Sequence, residues 1–165
     1  MDDKDRQILR LLQQDARLPQ AEIGRRIGLS AATINERIKR LEREGVLKGW
    51  TVEVDDRKVG ADITAFIDVF IERPGHEAAF VSLMDSLPEV QECHFVTGDF
   101  TCHVKAKVRD RHALRELVLD KINELEGVRQ TRTFIVLATP KEDARISIPE
   151  PRPGEESGGR RKRRK

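Results

Sequence analysis

The stretch GLSAATINERIKRLEREG, residues 28–45, predicts a helix stop followed directly by a capped amphipathic helix. Gly28 suits the left-handed conformation in which many helices end, because glycine adopts it without steric strain. Ser30 is a favourable N-cap for the next helix, and Gly45 marks the end of that helix. Apolar residues recur along one face of the helix, at Ile34, Ile38 and Leu41. The remaining surface must therefore face something polar, either water or a polyanion.

The face opposite this stripe carries short side chains early in the helix and long cations late. A helix that enters a DNA major groove needs that order, because its N-terminal residues approach base edges whereas later Lys and Arg reach phosphates. The alternative is a solvated face with intrahelical ion pairs such as Glu36 with Arg40. The outer face and its flanks comprise Ala32, Thr33, Asn35, Glu36, Lys39, Arg40 and Arg43.

Two further helices are predicted before residue 28. The first covers residues 2–18 and begins with Asp2 and Asp3, which suit its cap and its dipole. The second has Pro19 in its first turn. Their apolar positions are Ile8, Leu11 and Leu12 in the first and Ile23 and Ile27 in the second. A helix, a Gly-containing turn and a second, capped cationic helix together favour a helix-turn-helix over a merely solvated face.

The chain after Gly45 predicts a strand and then a hinge. In VLKGWTVEVD, residues 46–55, apolar and polar residues alternate from Trp50 to Val54, as in a half-buried strand. The polar segment DDRKVGAD, residues 55–62, follows it, and we expect Gly60 to be the pivot.

Residues from 62 onward predict the order strand, helix, strand, strand, helix, strand. The strands are expected in DITAFIDVFIE, in the two arms of VQECHFVTGDFTCHVKAKV and in VRQTRTFIVLA, and the helices over residues 76–87 and 112–125. This βαββαβ order predicts a ferredoxin-like sheet of four antiparallel strands with both helices on one face. The fold class is therefore α+β.

A hairpin turn at Gly98 and Asp99 would pair Phe95 with Cys102 and His94 with His103. The side chains expected to face the helices are Cys93, Phe95, Cys102, Val104 and Ala106, and those expected on the open face are Phe66, Phe70, Glu92, His94, Val96, Thr101 and His103. Phenylalanines among polar groups make a poor solvent surface, so we expect a homodimer through the open face.

Positive charge is concentrated at the two ends of the chain. Residues 1–48 carry 11 basic and 8 acidic side chains, residues 49–159 carry 14 basic and 21 acidic, and residues 160–165 read RRKRRK. This distribution predicts a polyanionic partner for the ends only. The Pro-, Gly- and charge-rich tail lacks an apolar pattern and is expected to be disordered. Its cations are either a phosphate-binding arm or a solubility or targeting appendage.

Several chemistries are disfavoured by the sequence. No apolar run is long enough to span a membrane, and MDDKDRQ does not begin like a signal peptide, so a cytoplasmic location is expected. Cys93-His94 and Cys102-His103 cannot converge on one zinc ion, because neighbouring strand residues point to opposite faces. No phosphate-binding loop, nucleophile elbow or metalloprotease motif is present. We therefore expect no metal, no cofactor and no enzymatic activity.

The segments IGLSAATINERIKRLEREGVLKGWT, VQECHFVTGDF and VRQTRTFIVL resemble the Lrp/AsnC family of leucine-responsive and asparagine regulators. The resemblance runs from about Asp2 to Leu137. It implies a winged-type helix-turn-helix domain over residues 1–48, a hinge strand and linker over 49–61, a ferredoxin-like effector-binding and dimerisation domain over 62–148, and a disordered basic tail over 149–165. It also implies a nucleoid-associated transcriptional regulator that binds double-stranded DNA as a homodimer, often assembled to an octamer, and responds to an amino acid or a related small effector.

The resemblance also implies candidate site residues. The positions matching DNA-contacting residues are Ser30, Thr33, Asn35, Glu36, Lys39 and Arg40, with Arg37 as a backbone or structural contact. Glu36 departs from the family, in which many members have a cation there. The positions matching the effector site are Gly98, Asp99, Thr101, Thr131 and Thr133. Thr101 replaces an Asp found in several members, so the effector itself is left open.

An enzyme alternative exists, because relatives of this architecture decarboxylate siroheme-type tetrapyrroles. The candidate residues for that chemistry are His94, His103 and Arg132. An amino-acid sensor without DNA binding is disfavoured by the cationic third helix. The sequence leaves open the target genes and whether they are activated or repressed.

Overall fold

The structure, a computed structural model, describes residues 1–150. It contains two compact units, one formed by Met1–Val52 with the described residues from Glu142 onward and the other by Glu53–Lys141. The basic run at 160–165, and nearly all of the tail predicted to be disordered, lie outside the described residues. No helix within residues 1–150 is long and apolar enough to cross a membrane.

Three helices build the first unit: α1 (Asp3–Gln14), α2 (Gln20–Ile27) and α3 (Ala31–Arg43). Gly28 ends α2 in the left-handed conformation, with φ of 73°, and Ser30 caps α3, both as predicted. Apolar residues of all three helices form one buried core, comprising Ile8, Leu12, Ile23, Ile27, Ile34 and Ile38. This core fixes which face of α3 points outward.

The strand predicted over residues 46–55 is wrong. The segment is irregular and is followed by a short 3-10 turn, Arg57–Val59. Trp50, Val52 and Val54 alternate in sequence, yet their exposed fractions are 49%, 81% and 60%. A strand requires a neighbour that pairs with its backbone, and no segment of residues 1–150 pairs with this one. Alternation alone therefore does not form a strand here.

Four antiparallel strands form the sheet of the second unit: β1 (Ile63–Ile71), β2 (Val90–Phe95), β3 (Cys102–Val108) and β4 (Val128–Ile135). Their spatial order is β2-β3-β1-β4, and the predicted ferredoxin-like βαββαβ arrangement is confirmed. The hairpin register is also confirmed, because Phe95 pairs with Cys102 and His94 pairs with His103.

Two helices pack on one face of this sheet. They are α4 (Glu77–Ser86) and α5 (Arg111–Arg115), which continues as a π-helix over Glu116–Ile122. The shared core includes Ala65, Ile67, Val69 and Ile71 of β1 with Phe80, Leu117 and Ile122 of the helices. The alternate residues of β1, among them Phe66 and Phe70, lie on the opposite, open face and are only partly buried.

Phe95 faces the helices as predicted, but they cover only part of it. It lies on the helix side next to α4, beside Ala78 and Val81, but 52% of its surface is exposed. The reason is that β2 is an edge strand, so one side of Phe95 has no neighbouring strand to cover it.

Candidate nucleic-acid interface and effector site

Helix α3 buries the predicted apolar stripe and exposes the predicted outer face. Ile34 and Leu41 are fully buried, whereas Glu36 and Lys39 are exposed. A shallow groove on this outer face is lined by Thr33, Glu36, Arg37, Lys39, Arg40 and Arg43. Four cations and one carboxylate thus share one surface, which suits it to a polyanion that also offers hydrogen-bond donors.

The first turns of α3 hold short polar side chains in defined positions. The Ser30 hydroxyl accepts a hydrogen bond from the Thr33 amide at 3.1 Å, and the two hydroxyls lie 2.8 Å apart. Asn35 accepts a hydrogen bond from the Gln20 side-chain amide at 3.2 Å, which links α3 to α2. These groups are partly ordered before any ligand binds, which reduces the entropy lost on recognition.

A buried carboxylate on α1 binds two arginines of α3. Asp5 is fully buried, and Arg40 Nη2 donates to both of its oxygens at 2.6 Å. Arg37 Nη1 donates to Asp5 and to Asp2, at 2.7 Å in each case. Burial raises the pKa of Asp2, but the hydrogen bonds from Arg37 and from the Asp5 amide outweigh it and lower this pKa to about 2.

This cluster also engages Arg40, which the disfavoured solvated-face alternative paired with Glu36. The Arg40 guanidinium binds Asp5, and Glu44 lies 3.9 Å from Nε, so that alternative intrahelical pair is not the one the structure shows. Sequence reasoning missed Asp5 because it treated the acidic start of α1 only as cap and dipole chemistry. The available signal was the spacing of Asp2 and Asp5, which form a reciprocal capping box.

The hairpin residues predicted for the effector site lie beside the end of β1. Gly98 has a φ of 128°, a conformation that favours glycine. The Thr101 amide donates to the Val69 carbonyl at 2.9 Å, and the Thr101 hydroxyl accepts from the Ile71 amide at 3.0 Å. Thr101 therefore ties the hairpin to β1, whereas Gly98 and Asp99 are exposed.

Thr131 and Thr133 lie on β4, at the other side of β1. Thr131 pairs with Val69 and Thr133 with Ile67. The Thr131 hydroxyl donates to the Asn123 side-chain oxygen at 3.0 Å. The structure thus places Thr101 and Thr131 on opposite sides of Val69, and both hydroxyls bind other protein atoms. Thr133 pairs with Ile67 of β1 and lies on the helix side of β4.

The open face of the sheet contains a His–Asp pair among aromatic rings. His103 Nδ1 lies 2.7 Å from Asp68 Oδ1, and the imidazole stacks on Phe66 with ring centroids 5.1 Å apart. The Arg132 guanidinium lies over Phe100, 4.9 Å from the ring centroid. All three residues considered for tetrapyrrole chemistry are engaged with neighbouring side chains, because His94 lies 3.3 Å from Glu92.

The two Cys-His pairs of the hairpin point apart as expected. Cys102 is fully buried in the core, whereas His103 lies on the open face. Burial raises the pKa of Cys102 to about 12, which keeps the thiol protonated. His94 hydrogen-bonds Glu92 at 3.3 Å. Among the described residues no group of three or more His, Cys, Asp or Glu side chains could hold a metal ion.

Family models match both units. Residues 1–48 match a winged helix-turn-helix DNA-binding model, and residues 64–146 match the Lrp/AsnC ligand binding domain. The leucine-responsive regulatory protein of Klebsiella pneumoniae is 37% identical over 150 residues, covering 90% of this chain and 92% of that protein. Its counterpart in Escherichia coli K12 is 36% identical with the same coverage.

Solved structures agree with the sequence matches. A transcriptional regulator from Neisseria meningitidis in complex with L-Met has a TM-score of 0.83 at 28% identity, covering 89% of this chain and 96% of that one. AsnC of E. coli has a TM-score of 0.79 at 29% identity, covering 86% and 95%. The leucine response regulatory protein of Mycobacterium tuberculosis has a TM-score of 0.80 at 32% identity, covering 90% and 100%.

Proposed function

The chain belongs to the Lrp/AsnC family of DNA-binding transcriptional regulators, and from this premise we propose that α3 reads the major groove of its target DNA. The observation that carries the proposal is the outer face of α3, where short polar side chains precede long cations. That order matches the depth of the groove, since bases lie near the start of an inserted helix and phosphates near its later turns.

The proposed roles follow position along α3. Ser30, Thr33, Asn35 and Glu36 occupy the start, within reach of base edges and nearby phosphates. Lys39 and Arg40 follow as cationic contacts, and Arg37 serves mainly as a structural contact because it binds Asp2 and Asp5.

Glu36 is the one acidic residue among those that line the α3 groove. A carboxylate repels phosphate but accepts a hydrogen bond from the cytosine amino group, which the major groove presents. We therefore propose that Glu36 selects cytosine in the operator and that the operator differs from those of relatives with a cation at this position.

The proposed effector is an amino acid. The supporting comparisons are a relative solved with L-Met and relatives named as leucine-responsive. A zwitterion needs donors for its carboxylate and acceptors for its ammonium group, and backbone at Gly98 with side chains of Asp99 and the threonines could supply both. The proposed residues are Gly98, Asp99, Thr101, Thr131 and Thr133. Because the hydroxyls of Thr101 and Thr131 already bind protein atoms, an effector would have to share or replace those bonds.

We propose that the open sheet face forms a homodimer. Phe134 is 47% exposed on this face, next to the partly buried Phe66 with which it pairs. A second sheet would remove this apolar surface from water. A dimer would also set two copies of α3 at the spacing of successive major grooves, about 34 Å. Assembly of dimers to an octamer is a further step of the same proposal, and an effector would act by shifting assembly. Sedimentation that shows a monomer at micromolar concentration would remove the dimer.

The basic run at 160–165 is proposed to add phosphate contacts. The described part of the chain leading to it lies against α1, because Arg10 donates to the Ile148 carbonyl at 2.9 Å and Gln13 accepts from the Ile146 amide at 2.8 Å. The run therefore follows a segment held on the DNA-binding unit. Such contacts add affinity without sequence preference and would keep the protein associated with the nucleoid.

We propose no enzymatic activity. Solved relatives are named as transcriptional regulators, and Arg132 and His103 are engaged with Phe100 and Asp68 rather than with an open pocket. Adding a siroheme-type tetrapyrrole should give no haem-like absorbance band that tracks with the protein. A stoichiometric band together with loss of a carboxyl group would support the enzyme instead.

DNA recognition is tested by selecting duplexes from a random library with the full chain and then measuring mobility shifts. We expect a recurring palindromic sequence that competes far better than a scrambled duplex of equal length. Selection that yields no common sequence would refute the proposed function. Mapping bound sites across the genome would then identify the target genes.

A further inference from the structure

We propose that Asp5 is a positioning residue for DNA recognition. It fixes the Arg40 guanidinium at the edge of the α3 groove and, with Asp2, withholds Arg37 from the DNA. This inference rests on the proposed function of α3, because it concerns how the groove is prepared for its ligand.

The Arg40 side chain binds the buried Asp5 at one end and is partly exposed at the edge of the α3 groove. Its side chain is 38% exposed, and a single nitrogen, Nη2, donates to both oxygens of Asp5 at 2.6 Å. The guanidinium is a rigid plane with donors in a fixed fork. Anchoring one end of that plane therefore fixes the direction of its other donors before DNA arrives, and less side-chain freedom is lost on binding.

Arg37 is held differently, between two carboxylates. Its side chain is 22% exposed, and Nη1 is shared by Asp2 and Asp5 at 2.7 Å. Moving Arg37 to a phosphate would leave the buried Asp5 with one fewer cation, and breaking a buried ion pair is strongly unfavourable. Arg37 therefore links α3 to the start of α1 through ion pairs and does not serve as a phosphate contact.

The sign of the charge on Asp5 makes this role testable. A carboxylate behind the groove weakens the attraction of α3 for any phosphate backbone, while it orients Arg40 for one particular geometry. Removing the charge should therefore strengthen binding to unrelated DNA and weaken discrimination. A purely structural loss would instead reduce binding to all DNA in proportion to the folded fraction.

The experiment compares Asp5→Asn with Asp3→Asn in the full chain. Both changes remove one negative charge from the first turn of α1, but Asp3 is 68% exposed and pairs with Arg6 of the same helix. Affinity for the selected operator and for a scrambled duplex is measured over a salt series, with thermal melts giving the folded fraction. For Asp5→Asn we expect the operator preference to fall about tenfold, because an Arg40 guanidinium that is no longer oriented holds α3 less firmly in the register in which its N-terminal side chains meet the bases. The salt dependence on scrambled DNA should steepen by up to about 0.9 in log–log slope if the released arginine binds one additional phosphate.

Asp3→Asn should leave the operator preference unchanged. An unchanged preference in folded Asp5→Asn would overturn the positioning role. If Asp5→Asn does not fold, Arg40→Lys decides the question, because lysine keeps the charge but lacks the planar fork. Loss of preference at an unchanged salt slope supports the role, and retained preference overturns it. Failure of the proposed function would appear earlier, as a wild-type chain that prefers no duplex.

Discussion

Gly24 and Leu29 meet backbone to backbone where α2 turns toward α3. The Leu29 amide donates to the Gly24 carbonyl at 2.9 Å, and a Cβ atom on Gly24 would lie 2.3 Å from the Leu29 carbonyl oxygen. Because that oxygen belongs to the backbone, it cannot move aside as the end of a flexible side chain can. The turn of the helix-turn-helix therefore requires glycine at this position.

Gly24→Ala should destabilise the DNA-binding unit by about 1–3 kcal/mol, the usual cost of overpacking. Alanine ordinarily improves a helix interior by about 1 kcal/mol over glycine, so the steric contact reverses the expected sign. Denaturant unfolding measures the change. Gly49→Ala is the matched control, because a Cβ there meets open space, and it should have little effect. A Gly24→Ala chain as stable as the wild type would show that the turn can relax.

Glu36→Ala should relax base preference at one operator position. The carboxylate is exposed in the α3 groove, and removing it deletes a hydrogen-bond acceptor for cytosine along with a charge that repels phosphate. Binding to operators with every base at each position measures the preference, and the expected loss of discrimination corresponds to about 1–3 kcal/mol. A uniform change at all operator variants would refute base reading by Glu36.

Phe134→Asp should convert the proposed dimer to a monomer. Phe134 is 47% exposed on the open sheet face, and an aspartate there would have to be desolvated at the interface. Sedimentation at micromolar concentration measures the state. Phe95→Asp is a matched control, since Phe95 is 52% exposed but lies on the helix side of the sheet. If Phe95→Asp dissociates the dimer and Phe134→Asp does not, the interface lies on the helix side of the sheet.

The ionised Asp2 carboxylate should stabilise the folded chain at neutral pH and lose this effect in strong acid. Its folded pKa of about 2 lies below the ordinary value of 3.8, so its contribution is present above about pH 4 and is lost as the pH falls toward 2. The side chain is 44% exposed, and solvent screening limits the effect to on the order of 1 kcal/mol. Asp2→Asn keeps an N-cap but removes the charge. Urea unfolding of the wild type should weaken more on acidification than that of Asp2→Asn, and parallel pH profiles would contradict this.

Truncation after Pro153 should flatten the salt dependence of DNA binding. The log–log slope falls by roughly 0.9 for each phosphate that the protein no longer neutralises, and the truncation removes the six cations of residues 160–165. A chain with serine at all six positions controls for length and should behave like the truncation. An unchanged slope in both would mean that the tail does not contact DNA.

Features that depend on local spacing were predictable from the sequence. The stripe of Ile34 and Ile38, the cap at Ser30 and the stop at Gly28 follow from helix geometry. The pairing of His94 with His103 follows from the position of the turn. The strand expected near Trp50 does not form, and the reason is non-local. Alternating apolar and polar residues are compatible with a strand, but they do not supply the neighbouring segment with which its backbone must pair.

Apart from the strand expected near Trp50, the sequence by itself determined the order of helices and strands, the outward face of α3 and the hairpin register, since each follows from residues a few positions apart. Only the tertiary structure decided that Arg40 binds Asp5, 35 positions away, that Thr101 and Thr131 flank Val69, and that Gly24 has no room for a side chain. The physical reason is that burial and ion pairing depend on which residues far apart in sequence are brought together by folding. Periodic spacing along the chain does not specify those contacts.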